Sequence, residues 1–202
     1  ILDANFADTT AYDGTVNGAT FQSSGGVRDF ENGANSGAFD FDGSNDNVIV
    51  DNVSNTGISK PAIYGEISFG CWVSIDGGLY ILSTGSQTGS EGIQMNNAGK
   101  VSVKTSSQSY EIDKFWPTTT TYQHLFATWD GNTIRGYLNG TQVDSNGGSS
   151  TSITSDEDLL TMGVPNNKTG KNHFNGRIDD VRIYSRALTA SEVSNIYTAT
   201  KP

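Results

Sequence analysis

The sequence predicts an all-β fold: an antiparallel two-sheet jelly-roll sandwich with one short C-terminal helix. Three observations predict it. Apolar side chains recur at every second position along most of the chain, and Gly- and Asn-containing turns interrupt them at short intervals. Only one segment carries helix-start signals, so helices do not alternate with strands as a parallel sheet requires. At 202 residues a jelly roll suits better than an immunoglobulin sandwich, which needs only about 100.

The elements follow in order. Phe39 and Phe41 point one way, Asp40 and Asp42 the other, before a Gly43-Ser44-Asn45 turn and a second strand over Val48-Ile49-Val50. Ile67, Phe69, Cys71 and Val73 form one face of the next strand, with Ser68, Gly70 and Trp72 on the other. Short strands are expected at 80–82, 92–95 and 100–103, the last two joined across Asn96-Asn97-Ala98-Gly99. From Tyr122 to Val143 the pattern predicts a three-stranded meander, with type I′ turns at Asp130-Gly131 and Asn139-Gly140. A strand is expected over 176–184, with Ile178, Val181 and Ile183 as its apolar members. Thr189 and Glu192 then form a capping box, with Leu188 and Val193 at the staple positions, opening a helix of about two turns. The polar stretch 145–155 reads as a long surface loop. No repeat or linker divides the chain, so residues 1–202 read as one domain.

Composition narrows the function classes. Twelve basic and 22 acidic residues leave a formal charge of −10, which disfavours nucleic acid because phosphates are repelled. No apolar run approaches the ~20 residues of a membrane helix, so membrane insertion is not expected. The single cysteine forms no internal disulfide, and Cys71 reads as a buried, inert thiol. Ile1 follows neither methionine nor a leader-like segment, which reads as a processed chain or an excised domain. Abundant Gly, Asn, Ser and Thr with little Cys suits an extracellular bacterial or viral protein.

Four segments in order carry a family resemblance. They are Ala38-Phe39-Asp40-Phe41-Asp42-Gly43 running on to Val50, the Ile67–Val73 strand, Thr128-Trp129-Asp130-Gly131 with Tyr137-Leu138-Asn139-Gly140, and Gly176–Tyr184 running on to Leu188, Thr189 and Glu192. Together they resemble the laminin-G-like domains of the concanavalin A-like superfamily, over nearly the whole chain. Asn47 stands where that family often has an aromatic residue, and Trp129 where it often has tyrosine.

The resemblance implies a calcium ion where the terminal strands meet, and the matching positions are Asp3 and Asp179. Calcium takes six to eight oxygen ligands. Asp46 is a further ligand candidate, beside an Asp42-Gly43-Ser44-Asn45 stretch that turns well without metal. Sugar recognition needs an aromatic face and polar groups for the hydroxyls. Trp116, leaving a strand for a Thr-rich loop, is the first platform candidate, followed by Tyr110 and Tyr80; Trp72 and Trp129 read as packing.

The superfamily also contains glucanases and lyases, but the glucanase pattern stops at Glu111-Ile112-Asp113, and His124 with Tyr122 makes only part of a lyase set. The expectation is therefore a non-catalytic glycan-binding or cell-surface adhesion module, extracellular or surface-exposed, stabilised by calcium and partnered by a glycan or polysaccharide. One alternative is a structural decoration or fibre domain on a virus particle, contacting other subunits. A polysaccharide lyase or hydrolase is the third reading.

Overall fold

The computed structural model describes residues 2–3, 14–27, 37–50, 65–78, 80–84, 92–96, 100–104, 109–112, 120–148, 160–164 and 173–202. They form β1 (Leu2–Asp3), β2 (Thr15–Asn17), β3 (Thr20–Gln22), β4 (Ala38–Asp42), β5 (Asn47–Val50), β6 (Ile67–Gly77), β7 (Tyr80–Thr84) and β8 (Gly92–Asn96). There follow β9 (Val101–Lys104), β10 (Ser109–Ile112), β11 (Gln123–Trp129), β12 (Thr133–Leu138), β13 (Thr141–Gly147), β14 (Leu160–Met162), β15 (Asn175–Tyr184) and α1 (Ala190–Thr200). The first sheet runs β13-β12-β11-β6-β15-β4-β3, with β1 added alongside β15; the second runs β10-β9-β8-β7-β14-β5-β2. Strands distant in sequence lie side by side, as in β6 between β11 and β15. The described residues form an antiparallel two-sheet sandwich with one helix, as the alternation predicts.

The inner faces meet in one core. Phe41, Phe69, Cys71, Val73, Leu125, Trp129 and Ile178 from the first sheet face Val48, Leu82, Ile93, Met95, Val101 and Leu160 from the second. The first sheet is also covered outside: α1 lies on Phe126 and Tyr137 through Val193 and Ile196, with Leu188 just before it in the same cluster. Trp72 belongs to this outer layer, stacking on Tyr197 at 5.6 Å and donating its Nε1–H to Thr200 Oγ1 at 2.8 Å. Burial on both faces explains why the first nine residues of β6 are all buried, although only alternate ones face the core.

Several expectations need correcting. The helix has 11 residues, about one turn more than expected, because its last turn is held by Trp72. The Thr189–Glu192 capping box is present. Asn139 and Gly140 both take positive φ, as a type I′ turn requires, but at the other hairpin only Gly131 does. There Asp130 accepts N–H bonds from Asn132 and Thr133 at 3.0 and 2.8 Å, making an Asx-type turn instead. Residues 145–147 continue β13 rather than opening a loop, because they pair with Thr133–Arg135.

The strands β2, β3 and β14 are additional to the expected set; each has three residues, too few to show a period. The register of β15 against β6 slips between Asp179 and Arg182, with Asp180 at φ +47°. This bulge turns both Ile178 and Val181 into the core. Its signal is legible in the sequence, since the two apolar residues stand at an odd spacing that unbroken alternation forbids.

Candidate functional site

The expected aromatic platforms separate. Trp116 lies outside the described residues. Tyr110 is 4% exposed, with its ring centroid 4.5 Å from that of Trp129, so it packs in the core and offers no open face for a sugar. Tyr80 is half-buried on β7, opposite Asn96 of β8. Trp72 and Trp129 are buried packing residues, as expected.

The metal candidates also separate. Asp3 pairs with Arg182 across the β1–β15 ladder, three residues beyond Asp179, so the two terminal strands do meet there. Asp179 Oδ2 accepts the Val27 N–H at 2.7 Å, and its Oδ1 accepts the Asp180 N–H at 2.7 Å. The carboxylate thus ties the segment after β3 to the bulge. Asp46 lies in the turn between β4 and β5, beyond the Asn175 end of β15, and receives the Asp42 N–H at 2.9 Å. Gly18, at φ +77°, has no side chain and lets the Asp46 carboxylate pack against it. Among the described residues no three His, Cys, Asp or Glu side chains converge. Calcium takes six to eight oxygen ligands; of the expected pair, the described side chains include that of Asp179 and not that of Asp3.

The described residue with an exposed aromatic face is Phe21, on a strand not expected from the sequence. It is 57% exposed, and its ring lies 5.5 Å from that of half-buried Phe39, its register partner. Gly37 is required beneath it, because a Cβ there would run into the Phe21 ring. β3 ends the first sheet, and Val16, on the terminal strand β2 of the second sheet, is also exposed.

One register step away, on the opposite face of the strand, Thr20 pairs with Asp40, and Asp40 with Arg177. Arg177 Nε is 3.9 Å from Asp40 Oδ2, both side chains being about two-fifths exposed. The Tyr122 hydroxyl lies beside that guanidinium; burial and then the Asp179 charge push its pKa up to about 12 against the pull of Arg177. The edge of β3, β4 and β15 therefore joins an aromatic rim to a polar face holding a hydroxyl, a carboxylate and a guanidinium. Phe21 is invisible to pattern reading because an exposed aromatic in a three-residue strand carries no periodic signal.

His124 is 1% exposed, its ring centroid 5.2 Å from Trp72, 5.5 Å from Phe126 and 6.0 Å from Tyr197. Burial, with the Arg182 cation nearby, lowers its pKa to about 3. The ring is sealed beneath α1, out of a substrate's reach. Tyr122 instead adjoins Arg177, so the lyase set considered from the sequence is not assembled. Burial, reinforced by Asp180 and Asp179, pushes the Cys71 thiol well above its ordinary range, consistent with an inert core residue. Among the described residues no helix is long and apolar enough to cross a membrane.

Comparison with known proteins places this architecture. Among solved structures, domain 4 of AbnA, a GH43 extracellular arabinanase from Geobacillus stearothermophilus, determined with arabinotriose, superposes with a TM-score of 0.68. It is 18% identical, over 92% of this chain and 88% of that one. The botulinum neurotoxin serotype G binding domain gives 0.67 at 17% identity, over 95% of this chain and 47% of its own length. The binding domain of Paraclostridial Mosquitocidal Protein 1 also gives 0.67 at 17%, over 92% and 47%. The chain thus spans about half of each toxin domain. None of the curated proteins matches it in sequence. The Laminin_G_3 family model, described as the concanavalin A-like lectin/glucanases superfamily, matches residues 41–194. That segment is well over half of the chain, and the protein belongs to this laminin G-like family.

Proposed function

We propose that the protein is a non-catalytic glycan-binding or cell-surface adhesion module, secreted or surface-exposed, whose sugar contacts lie along the edge formed by β3, β4 and β15. The observation that carries this reading is the exposed Phe21 ring at the β3 edge, one register step from the Asp40–Arg177 pair on the strand's other face. An aromatic face suits the C–H side of a sugar ring, and carboxylate and guanidinium suit its hydroxyls. Family membership supports the reading, as does the arabinotriose bound to the similar arabinanase domain. A calcium ion shared by Asp179 and Asp3 at the β1–β15 junction belongs to the same proposal, as a structural brace. Binding of the whole chain to a polysaccharide array, with and without Phe21→Ala, tests the sugar site. Retention on at least one glycan, weakened about tenfold or more in the variant, is the expected result. Retention on none overturns it.

A second reading, a structural decoration or fibre domain, is favoured by a different feature. Val16, Phe21 and Val143 are exposed on β2, β3 and β13, three of the four terminal strands of the two sheets, where protein contacts add most easily. Concentration-dependent self-association that Phe21→Ala abolishes, without glycan binding, would favour it.

A further inference from the structure

We infer that the β3 edge selects uncharged glycans, and that Asp40 is the residue that makes it do so. This rests on the glycan-binding reading above and adds the class of ligand. The side chains lining the polar face carry an excess of negative charge. Asp40 is half-exposed, Asp42 is exposed, and Asp179 follows on the same strand as Arg177. Against them stands Arg177, whose guanidinium already has Asp40 at 3.9 Å; Arg182, farther along β15, is buried and paired with Asp180. A uronate or sulfate reaching for Arg177 would come within a few ångströms of the Asp40 carboxylate, inside a molecule of net charge −10. The arrangement therefore penalises the ligands that a lone arginine would otherwise attract.

An uncharged sugar meets the reverse situation. Its hydroxyls are donors, and the Asp40 carboxylate is an acceptor with two oxygens, able to take a pair of neighbouring hydroxyls in charge-assisted hydrogen bonds. Arg177, held beside it, donates to whichever oxygen stands next along the chain. Phe21 lies one register step away across the strand, so a glycan wrapping the β3 edge would set its C–H face on the ring and its hydroxyls on Asp40.

The two ligand classes give opposite signs for one substitution. Affinity electrophoresis of the whole chain against neutral polysaccharides (glucan, xylan, galactan, arabinan) and anionic ones (polygalacturonate, alginate, heparin), at low and high salt, reads it directly. The expected result is retention by a neutral polymer, little changed by salt, and about tenfold weaker in Asp40→Asn through loss of a charge-assisted hydrogen bond. Retention by anionic polymers alone, relieved by salt and strengthened in Asp40→Asn, overturns the inference and leaves the glycan-binding reading intact. Neutral binding that Asp40→Asn leaves unchanged overturns the role of Asp40 and of this edge. Binding to neither class overturns both the inference and the reading beneath it. The carboxylate is half-exposed, so the variant should melt with the parent; Asp40→Ser provides a second test of the same sign.

Discussion

Gly70 shows how little room single positions have. It faces Phe126 on β11 and Arg182 on β15, and a Cβ there would run into the Leu125 carbonyl oxygen and the Phe126 ring. Gly70→Ala must push two central strands apart, so we expect a loss of about 1–3 kcal/mol, measured by urea unfolding. Asp130 shows a different economy. Burial opposes its ionisation, but hydrogen bonds from Arg135, Thr133 and Asn132 outweigh that and hold the carboxyl below its usual range. An Asp-Gly pair thus announces a turn in the sequence, while the turn's type depends on which N–H groups the carboxylate finds. At the same scale, Asp179 was legible as a notable residue, but its contact with Val27 lies 152 positions away in the chain. No local pattern contains that partner.

Among the elements, α1 and the strand surface beneath it hold a pH-sensitive joint. His124 sits between Trp72, Phe126 and Tyr197 with its Nδ1 making no hydrogen bond, and Arg182, paired with Asp180 at 2.8 Å, adds a nearby cation. With a folded pKa of about 3 against 6.5 when unfolded, the ring stays neutral in the fold while the unfolded chain takes up a proton. Its contribution is therefore fully present above pH 6.5 and is lost as pH falls toward 3, with a slope approaching ~1.4 kcal/mol per pH unit. Unfolding midpoints measured across this window should fall on acidification, and His124→Phe should flatten the limb between pH 6.5 and about 4.5. A limb unchanged in the variant would place the acid sensitivity elsewhere. Below it, Asp130 and Glu192, whose carboxyls are held low in the fold, add their own loss. The helix start was readable from its capping box, whereas its length was not, because Thr200 is held by a tryptophan 128 positions earlier.

For the whole molecule, the meeting of the first and last strands is the feature most open to a direct test. β1 has two residues and lies beside β15, whose central position binds it to β6 and β4 as well. If calcium braces that junction, chelator should lower the melting temperature and added calcium restore it, since an ion bound only by the fold raises apparent stability. Identical melting curves with and without chelator would remove calcium from the proposal.

Sequence alone determined the sandwich class, the meander, the capped helix and the packing roles of Trp72 and Trp129. Each is written in a short-range period or in a turn residue whose backbone preference is local. Tertiary structure decided what covers each face and which ends meet. Trp72 and His124 lie beneath a helix formed far along the chain, Tyr110 lies inside, and Phe21 lies outside on a strand too short to announce itself. These placements come from pairing between distant strands, such as β6 with β15, and that information belongs to the assembled sheets rather than to any stretch of chain.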